Sequence, residues 1–396
     1  MTLKWPKRRL THWIFAAVVA GIVVIGITTW GVDMWLVFQQ TFTGTTQKNS
    51  QLSLQIASIS AELARIKNED QYKKNTKLQE DIGNIEATYT QAVALYEDLL
   101  RLKEVAKNTS KFDDRFTAAL TLLAGRDYAK ATTELSALRT DIKSERDKIA
   151  AAFTIPASVP ATNNPPAAGG FNTQSVTSDA GQFLVYIVAG DLANTRILVD
   201  TASNETCTNN CPVLPLATYV SRSGAYAGVN GSYFCPSTYP SCAGKTNSFD
   251  TLLMNKNKVY FNSDNNTYST VPAVIFGNGF IRFIGASRDW GRDTGIDSMI
   301  AMQPLLISGG NIAFGGNSDP KEGAKGSRSF VANRGNTAYI GVVFGATVAE
   351  SARTLKAMGM ENALNLDDGG STALWFGGYK AGPGRDIPNA VLFVRK

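Results

Sequence analysis

One short loop near the C-terminus gathers the side chains best suited to chemistry. It runs Asn365-Leu366-Asp367-Asp368-Gly369-Gly370-Ser371-Thr372 and follows a short apolar segment. Successive backbone N–H groups of such a turn form a concave anion site, and Ser371 adds a hydroxyl donor. A carboxylate beside that anion site suits chemistry on a phosphate ester or on a sugar attached to one. The alternative is an Asx-type turn in which glycines supply positive φ.

The elements flanking the loop place Asp367 at the tip of a strand. Apolar residues recur at helical spacing from 348 to 358, and Gly359 stands where it would end that helix. Residues 363 to 366 then have the composition of a short strand, so the sequence predicts that Asp367 emerges at its end.

The distal half of the chain contains few residue types that can act as a catalytic acid or base. The only histidine is His12, which excludes Ser-His-Asp catalysis, Cys-His catalysis and histidine-ligated zinc from the C-terminal region. Carboxylate chemistry remains, and a divalent cation, Ca²⁺ or Mg²⁺, near Asp367 and Asp368 is a candidate cofactor. No other cofactor and no protein metal site is expected.

The N-terminus has the pattern of a membrane anchor. Four basic residues among the first nine precede residues 13–32, a run of 20 residues without a charged side chain. A helix of that length spans roughly 30 Å, and Trp13 and Trp30 mark its two ends. We therefore predict a cytoplasmic tail (1–12), a single-pass anchor in the cell membrane (13–32) and an extracellular remainder. A cleaved signal peptide is the alternative. The net charge of +6 is modest, and no nucleic-acid partner is expected.

Four cysteines fall in the distal half, at positions Cys207, Cys211, Cys235 and Cys242. Outside the membrane they favour two local disulfides, most simply Cys207–Cys211 and Cys235–Cys242, although four cysteines allow three pairings. A structural zinc fits their spacing poorly.

Residues 45–152 predict a helical stalk. Their apolar positions recur by threes and fours, with a break in phase at 68–76, as in a coiled coil. The positions are Ile56, Ile59, Leu63, Ile66, Leu78, Ile82, Ile85, Tyr89, Ala92, Tyr96 and Leu99. A helical hairpin is predicted to follow, turning at 125–127. The stalk is expected to self-associate into a homo-oligomer, and a helical bundle within one chain is the alternative.

The residues after the predicted stalk differ from it in composition. Residues 153–178 are rich in Pro, Ala and Asn and predict a semi-stiff linker. Residues 179–396 contain several short strand patterns, two glycine-bearing hairpin turns and one clear helix. We expect an α+β fold, with a β-rich mixed sheet and few helices in this C-terminal domain.

Four segments, in chain order, resemble signatures of the phosphodiester glycosidase family: N-G-G-F-F, an R-T/S-A-x-G strand, N-L-D-G-G-G-S and R-x-[VI]-x-N-A. They are Val229-Asn230-Gly231-Ser232-Tyr233-Phe234, Arg328-Ser329-Phe330-Val331, Ala363-Leu364-Asn365-Leu366-Asp367-Asp368-Gly369-Gly370-Ser371 and Arg385-Asp386-Ile387-Pro388-Asn389-Ala390. The resemblance covers about residues 180–396. It implies cleavage of a sugar from a sugar-1-phosphate diester.

Roles follow from the resemblance and from side-chain chemistry. Asp367 is the expected acid/base or nucleophilic carboxylate, Arg328 the bidentate phosphate ligand, and Asn230 a partner of a sugar hydroxyl or of the ester. Asp368 is grouped with these catalytic candidates. The expected substrate-binding residues are Gly231, Ser232, Gly369, Gly370, Ser371, Thr372, Arg385 and Asn389. Tyr233 and Phe234 are interpreted as core or sugar-stacking residues.

Three positions depart from the family pattern: Ser232 and Asp368 replace glycines, and Ala332 follows Val331 where glycine is usual. Asp368 matters most, because it adds negative charge beside the expected phosphate site. It would repel the substrate, require a bridging cation, or carry a pKa raised by Asp367.

The favoured prediction is thus a membrane-anchored hydrolase, a phosphodiester glycosidase that acts on phosphate-linked surface glycan. A non-catalytic glycan-binding module on a stalk is the alternative, and a structural envelope protein is a weaker third hypothesis. The stereochemical course, retaining or inverting, is not readable from these motifs.

Overall fold

The computed structural model of the chain describes residues 7–167, 169–266 and 270–396. These residues form two compact units, which divide between Asn84 and Ile85. Residues 1–6 of the predicted cytoplasmic tail lie outside the described residues.

The first unit contains helix α1 (Lys7–Asn68) and the beginning of helix α2 (Asp70–Lys103). By length and composition α1 is long and apolar enough to cross a membrane, and its apolar window is not buried in the structure. Such a helix serves as an anchor or as a signal sequence. The predicted heptad residues of this unit, Ile56, Ile59, Leu63, Ile66, Leu78 and Ile82, are exposed. The coiled coil therefore stays a prediction.

In the second unit, the end of α2 packs with α3 (Ser110–Ala124) and α4 (Tyr128–Ala151). Helix α4 begins where the Asp127 carboxylate accepts a hydrogen bond from the backbone N–H of Lys130. The shared core contains Ala92, Leu95, Leu99, Leu102, Phe112, Leu135, Leu138 and Ile142. The apolar seam after residue 91 is thus covered by helices of the same chain, as the bundle alternative expects, and the predicted hairpin is present.

The β domain follows. Its strands are β1 (Gly170–Ser178), β2 (Gly181–Asp191), β3 (Thr195–Thr201), β4 (Ala225–Asn230), β5 (Leu253–Met254), β6 (Tyr260–Phe261), β7 (Ala273–Gly277), β8 (Phe280–Ile284), β9 (Ser298–Ala301), β10 (Leu305–Ser308), β11 (Asn311–Ile312), β12 (Gly326–Arg334), β13 (Thr337–Ala346), β14 (Asn362–Asn365), β15 (Leu374–Phe376), β16 (Tyr379–Ala381) and β17 (Asn389–Arg395). Its helices are α5 (Leu216–Ser223) and α6 (Val348–Ala357), with short 3₁₀ helices at Pro240–Cys242, Ser263–Asn266, Ser287–Asp289 and Gly369–Ser371.

The strands form three sheets. A seven-stranded sheet has the order β1-β2-β13-β12-β14-β10-β11, and two five-stranded sheets have the orders β16-β15-β4-β17-β3 and β6-β5-β9-β7-β8. All three contribute to one apolar core, with Val331 from the large sheet, Val229 and Phe393 from the second and Val274 from the third. Helix α6 covers the other face of the large sheet through Ala352 and Leu355.

The α+β prediction is confirmed as a β-rich C-terminal domain with few helices, but two details differ. All strand pairs described within the sheets are antiparallel, in place of the predicted mixed sheet. Short turns join some of these neighbours directly, such as β1 to β2 and β12 to β13, as antiparallel pairing allows. Residues 170–178, predicted as linker, form β1 and pair along their whole length with β2. Their polar composition concealed the strand, whose stability comes from this backbone pairing.

The predicted disulfides are confirmed. Cys207 bonds to Cys211, and Cys235 bonds to Cys242. The second disulfide closes a loop beside the site described next.

Candidate active site

The Asp367 loop joins two sheets. Strand β14 leads into it from the large sheet, where Asn365 pairs with Phe330 of β12. The Asp367 N–H then donates to the carbonyl oxygen of Gly231, which follows β4 of the second sheet, at 2.9 Å. The Asn230 side chain donates to the Asp367 carbonyl oxygen at 2.7 Å. These bonds bring together three motifs that lie far apart in the sequence.

Asn230 acts as a buried connector. Its Oδ1 accepts hydrogen bonds from the Ser329 hydroxyl at 2.8 Å and from the Ala373 N–H at 3.0 Å. Both functions of its amide group therefore bind protein, and no exposed surface remains for a sugar hydroxyl. This geometry is that of a structural residue, in place of the expected catalytic contact.

Asn389 has a comparable position. Its Oδ1 accepts from the Ser232 N–H at 2.9 Å, and its Nδ2 donates to the Ser232 hydroxyl at 2.7 Å. A Cβ atom at Gly231 would overlap the Asn389 amide, so this position needs glycine. The three residues join the end of β4 to β17, and none of them is among the residues that line the cavity described below.

Arg328 is buried and bonded mainly to protein. Its guanidinium donates to the carbonyl oxygens of Ala346 (3.0 Å), Lys321 (3.1 Å) and Ala324. It also donates to the Asp368 carboxylate at 2.9 Å, and both side chains are more than nine-tenths buried. Four of the five guanidinium N–H groups are thus accounted for, which leaves little of the bidentate phosphate contact that the sequence predicts.

Asp368 is the partner of Arg328. Its carboxylate also accepts from the Ser329 N–H at 3.1 Å, from Asn365 Nδ2 at 2.9 Å and from the Tyr233 hydroxyl at 3.3 Å. Burial raises the pKa of Asp368, and these donors together with the Arg328 charge oppose the rise. The extra negative charge is therefore held by protein groups.

Tyr233 and Asn365 belong to this network but were not predicted as site residues. Tyr233 was interpreted as core or stacking, yet its hydroxyl contacts Asp368 and accepts from Asn365 Nδ2 at 3.0 Å. Burial, followed by the charges of Asp368 and Asp367, raises the Tyr233 pKa well above its usual value. The position of both residues within the quoted motifs was the available signal.

Asp367 has a different environment. Its Oδ1 accepts from the Asp368 N–H at 2.9 Å, and the Ser371 side chain bonds to the carboxylate. Burial raises the pKa of Asp367 to about 7, the charge of Asp368 adds to the rise, and Ser371 and Arg385 oppose it. A carboxyl group that titrates near neutrality can exchange a proton under physiological conditions.

A cavity of about 1010 Å³ opens over the loop. Asp367, Arg328, Arg385, Tyr233 and the 369–372 turn line it, so the predicted convergence of Arg328 and Asp367 at one glycine-lined cavity is observed. Thr372 adds its hydroxyl, which donates to the Ser327 carbonyl oxygen at 3.3 Å. Gly369 has φ of +62°, a conformation that favours glycine.

Arg385 is held over the glycine turn by the helical segment. Its guanidinium forms an ion pair with Glu104, just beyond the end of α2, and lies 5.4 Å from the centre of the Tyr239 ring. The backbone N–H of Arg385 donates to the Gly370 carbonyl oxygen at 2.8 Å. A Cβ atom at Gly370 would overlap both Glu104 and Arg385. No motif in the sequence indicated this contribution of Glu104.

The described part of the chain contains no group of three or more His, Cys, Asp or Glu side chains arranged to hold a metal ion. Asp368 is ion-paired with Arg328 and Glu104 with Arg385, whereas Asp367 forms no ion pair among the described residues.

The family model described as phosphodiester glycosidase matches residues 223–394, which confirms the resemblance for that part of the chain. No curated protein matches.

Among the solved structures similar to the chain are the following three. The catalytic domain of zebrafish N-acetylglucosamine-1-phosphodiester alpha-N-acetylglucosaminidase, auto-inhibited by its pro-peptide, is 17% identical with a TM-score of 0.45, over 60% of this chain and 87% of that one. A hypothetical protein from Synechocystis is 15% identical with a TM-score of 0.39, over 58% of this chain and 64% of that one. A putative exported protein from Burkholderia pseudomallei is 12% identical with a TM-score of 0.36, over 55% of this chain and 76% of that one. The matched part of the chain thus spans less than two thirds of the length of the Synechocystis protein.

Proposed function

Because residues 223–394 match the phosphodiester glycosidase model, we propose that this chain removes a sugar from a sugar-1-phosphate diester in phosphate-linked surface glycan. The observation that carries the proposal is the buried Asp367 carboxyl, with a pKa of about 7, at the floor of a cavity lined by glycines and Arg385. A titrating carboxyl beside a cation and exposed backbone is suited to hydrolysis of an anionic glycoside.

We assign the proton-transfer role to Asp367. Water attacks the anomeric carbon, the bond from that carbon to the phosphate oxygen breaks, and the phosphate monoester leaves with the bonding electrons. Asp367 accepts the proton that the water loses, so it must be ionised at the start of the reaction. Arg385 and the Gly369–Gly370 backbone are the groups placed to hold the phosphate, while Asp368 positions Arg328 and the loop.

The rate should therefore depend on pH in a definite direction. We expect kcat/KM to rise as pH increases through about 7, following the ionisation of Asp367. The assay is release of free sugar from a UDP-linked or chromogenic sugar phosphodiester by the full chain in detergent. Parallel reactions with EDTA and with Ca²⁺ or Mg²⁺ test the candidate divalent cation.

Asp367→Asn is the matched variant, since it keeps the size of the side chain and removes the titrating group. We expect loss of turnover by roughly 10³-fold, within the range that general acid–base groups contribute. Absence of sugar release by the wild-type chain across pH and cations, with the protein folded, would reject the proposed hydrolase. A rate that falls through pH 7 would reject the base role alone.

The location is part of the same proposal. A helix apolar enough to cross a membrane precedes a domain with two disulfides, which persist in oxidising surroundings. This combination supports a single-pass membrane protein with a cytoplasmic N-terminus and an extracellular catalytic domain. The exposed heptad residues of α1 support self-association, which crosslinking of the full chain would test.

A second function is favoured by one observation. Arg328 is ion-paired with Asp368, and Arg385 is ion-paired with Glu104. Neither arginine beside the glycine turn therefore has a free positive charge for a substrate phosphate. A non-catalytic glycan-binding module would have this property. Binding of a sugar phosphodiester without cleavage, unaffected by Asp367→Asn, would support it.

A further inference from the structure

The helical segment forms one wall of the cavity. Arg101 and Glu104 near the end of α2, and Arg146 and Ile149 near the end of α4, line it together with the Asp367 loop. These residues precede the family-matched region, so the family motifs do not account for them. The cavity volume lies at the upper end of the usual range for small-molecule sites and leaves space beyond one sugar phosphate.

The wall is fixed to the β domain at several points. The Ser241 N–H donates to Glu97 at 3.2 Å, and the Arg101 guanidinium lies 5.4 Å from the centre of the Tyr239 ring. Beyond α4, Phe153 stacks on Phe344 with ring centres 6.3 Å apart. The side chains of the helical wall are therefore held at defined positions beside the site.

The residues that line the whole cavity include more basic than acidic side chains. Its lining residues include seven Lys or Arg side chains and five Asp or Glu side chains. Several of the cations have carboxylate partners: Arg101 pairs with Asp98, Lys325 with Glu350, Arg328 with Asp368 and Arg385 with Glu104.

Arg146 is the one arginine of the described lining without such a partner, and the lining residues Lys245 and Lys321 also form no ion pair. Among the described residues, no carboxylate lies within ion-pair distance of its guanidinium, although it is partly buried in the wall. Burial, followed by repulsion from Arg101 and Arg328, lowers the pKa of Arg146, and the more distant charges of Asp98 and Glu104 oppose this without reversing it. Holding a cation there without a partner is unfavourable, and an anionic ligand in the cavity would relieve it.

On the basis of the proposed function, we infer that Arg146 binds a second anionic group of the substrate, beyond the phosphate held at the glycine turn. The substrate class is then a glycan with at least two anionic groups near the cleaved bond, such as a chain with repeated phosphodiesters. A phosphate is the natural match for a guanidinium, which can donate two parallel hydrogen bonds to it. The helical segment would in this way select the substrate that the β domain cleaves.

Equilibrium binding tests the inference without requiring turnover. The full chain in detergent is titrated calorimetrically with α,ω-alkanediol bisphosphates of increasing chain length, and with alkyl monophosphates of the same lengths. We expect one length at which the bisphosphate binds at least tenfold more tightly than the monophosphate, since a hydrogen-bonded charge contributes about that factor. In Arg146→Gln this ratio should fall to near one, while monophosphate affinity stays unchanged.

Lys143→Gln is the matched control. Lys143 lies on the same helix, loses the same charge on substitution, and is 74% exposed with Asp147 as its partner. It should keep the wild-type ratio. A ratio near one at every length in the wild type, or an equal ratio in wild type and Arg146→Gln, would overturn the inference.

If the proposed function were wrong, the experiments would give a different combination of results than if the Arg146 inference were wrong. Loss of the bisphosphate preference in Arg146→Gln, combined with no sugar release by the wild type, would keep the anion subsite and reject the hydrolase. Sugar release without any bisphosphate preference would keep the hydrolase and reject the subsite.

Discussion

Asp367→Asn should change the pH dependence of stability in a direction that few surface substitutions would produce. In the folded chain burial raises the pKa of Asp367 to about 7, whereas an aspartate in an unfolded chain titrates near 3.9. Between these two values the folded state holds a proton that the unfolded state has lost. Stability of the wild type therefore falls as pH rises from about 4 to about 7, and stays lower above that range.

The size of the effect follows from the shift. A difference of about three pKa units corresponds to roughly 4 kcal/mol of lost stability above pH 7, which is an upper figure for one buried group. Asparagine does not titrate, and it keeps an oxygen to accept the Asp368 N–H bond that Oδ1 now accepts. Relative to the wild type, Asp367→Asn should thus gain stability between pH 4 and pH 8.

Thermal melts of the full chain at pH 4 and pH 8 measure the gain. The melting-temperature difference between variant and wild type should be roughly 8 °C more favourable to the variant at pH 8 than at pH 4, at about 2 °C per kcal/mol for a domain of this size. The same variant should lose turnover, so stability and activity should move in opposite directions.

Asp200→Asn supplies the control, because Asp200 is also buried but its pKa is shifted in the opposite direction. Burial alone would raise its pKa, but hydrogen bonds from Arg222 and Lys256 reverse the effect and lower it. Its ionised form stabilises the fold above the unfolded pKa, and that stabilisation is lost only as pH falls. Asp200→Asn should show no gain at pH 8. An Asp367→Asn difference that is the same at both pH values would refute the reasoning.

Two further substitutions test the packing of the site. Arg328→Gln should cost about 3–5 kcal/mol in urea unfolding, because it leaves the buried Asp368 carboxylate without its cation; a cost below 1 kcal/mol would contradict the structural role. Gly231→Ala should cost about 3 kcal/mol, because the new Cβ would lie 2.8 Å from the Asn389 carbonyl oxygen and overlap its amide. Gly285→Ala, which meets no atom within 4 Å, should be nearly neutral by the same measurement.

Local sequence signals predicted much of the domain. Gly277-Asn278-Gly279 marks the turn between β7 and β8, and Asn333-Arg334-Gly335-Asn336 marks the turn between β12 and β13. Cysteine spacing predicted both disulfides because short loops close most readily. Strand β1 escaped prediction because its polar side chains carry no alternating pattern, and its partner β2 supplies the hydrogen bonds.

The sequence, through its resemblance to the phosphodiester glycosidase signatures, predicted that the Arg328 and Asp367 motifs would lie at one cavity. Which of their side chains are ion-paired was decided only by the tertiary structure. Whether a guanidinium is free or paired depends on groups from distant segments: Asp368 lies 40 residues from Arg328, and Glu104 lies 281 residues from Arg385. The motifs of the β domain also could not predict that helices preceding it form one wall of the cavity. Burial and charge pairing arise only when separate segments fold against one another.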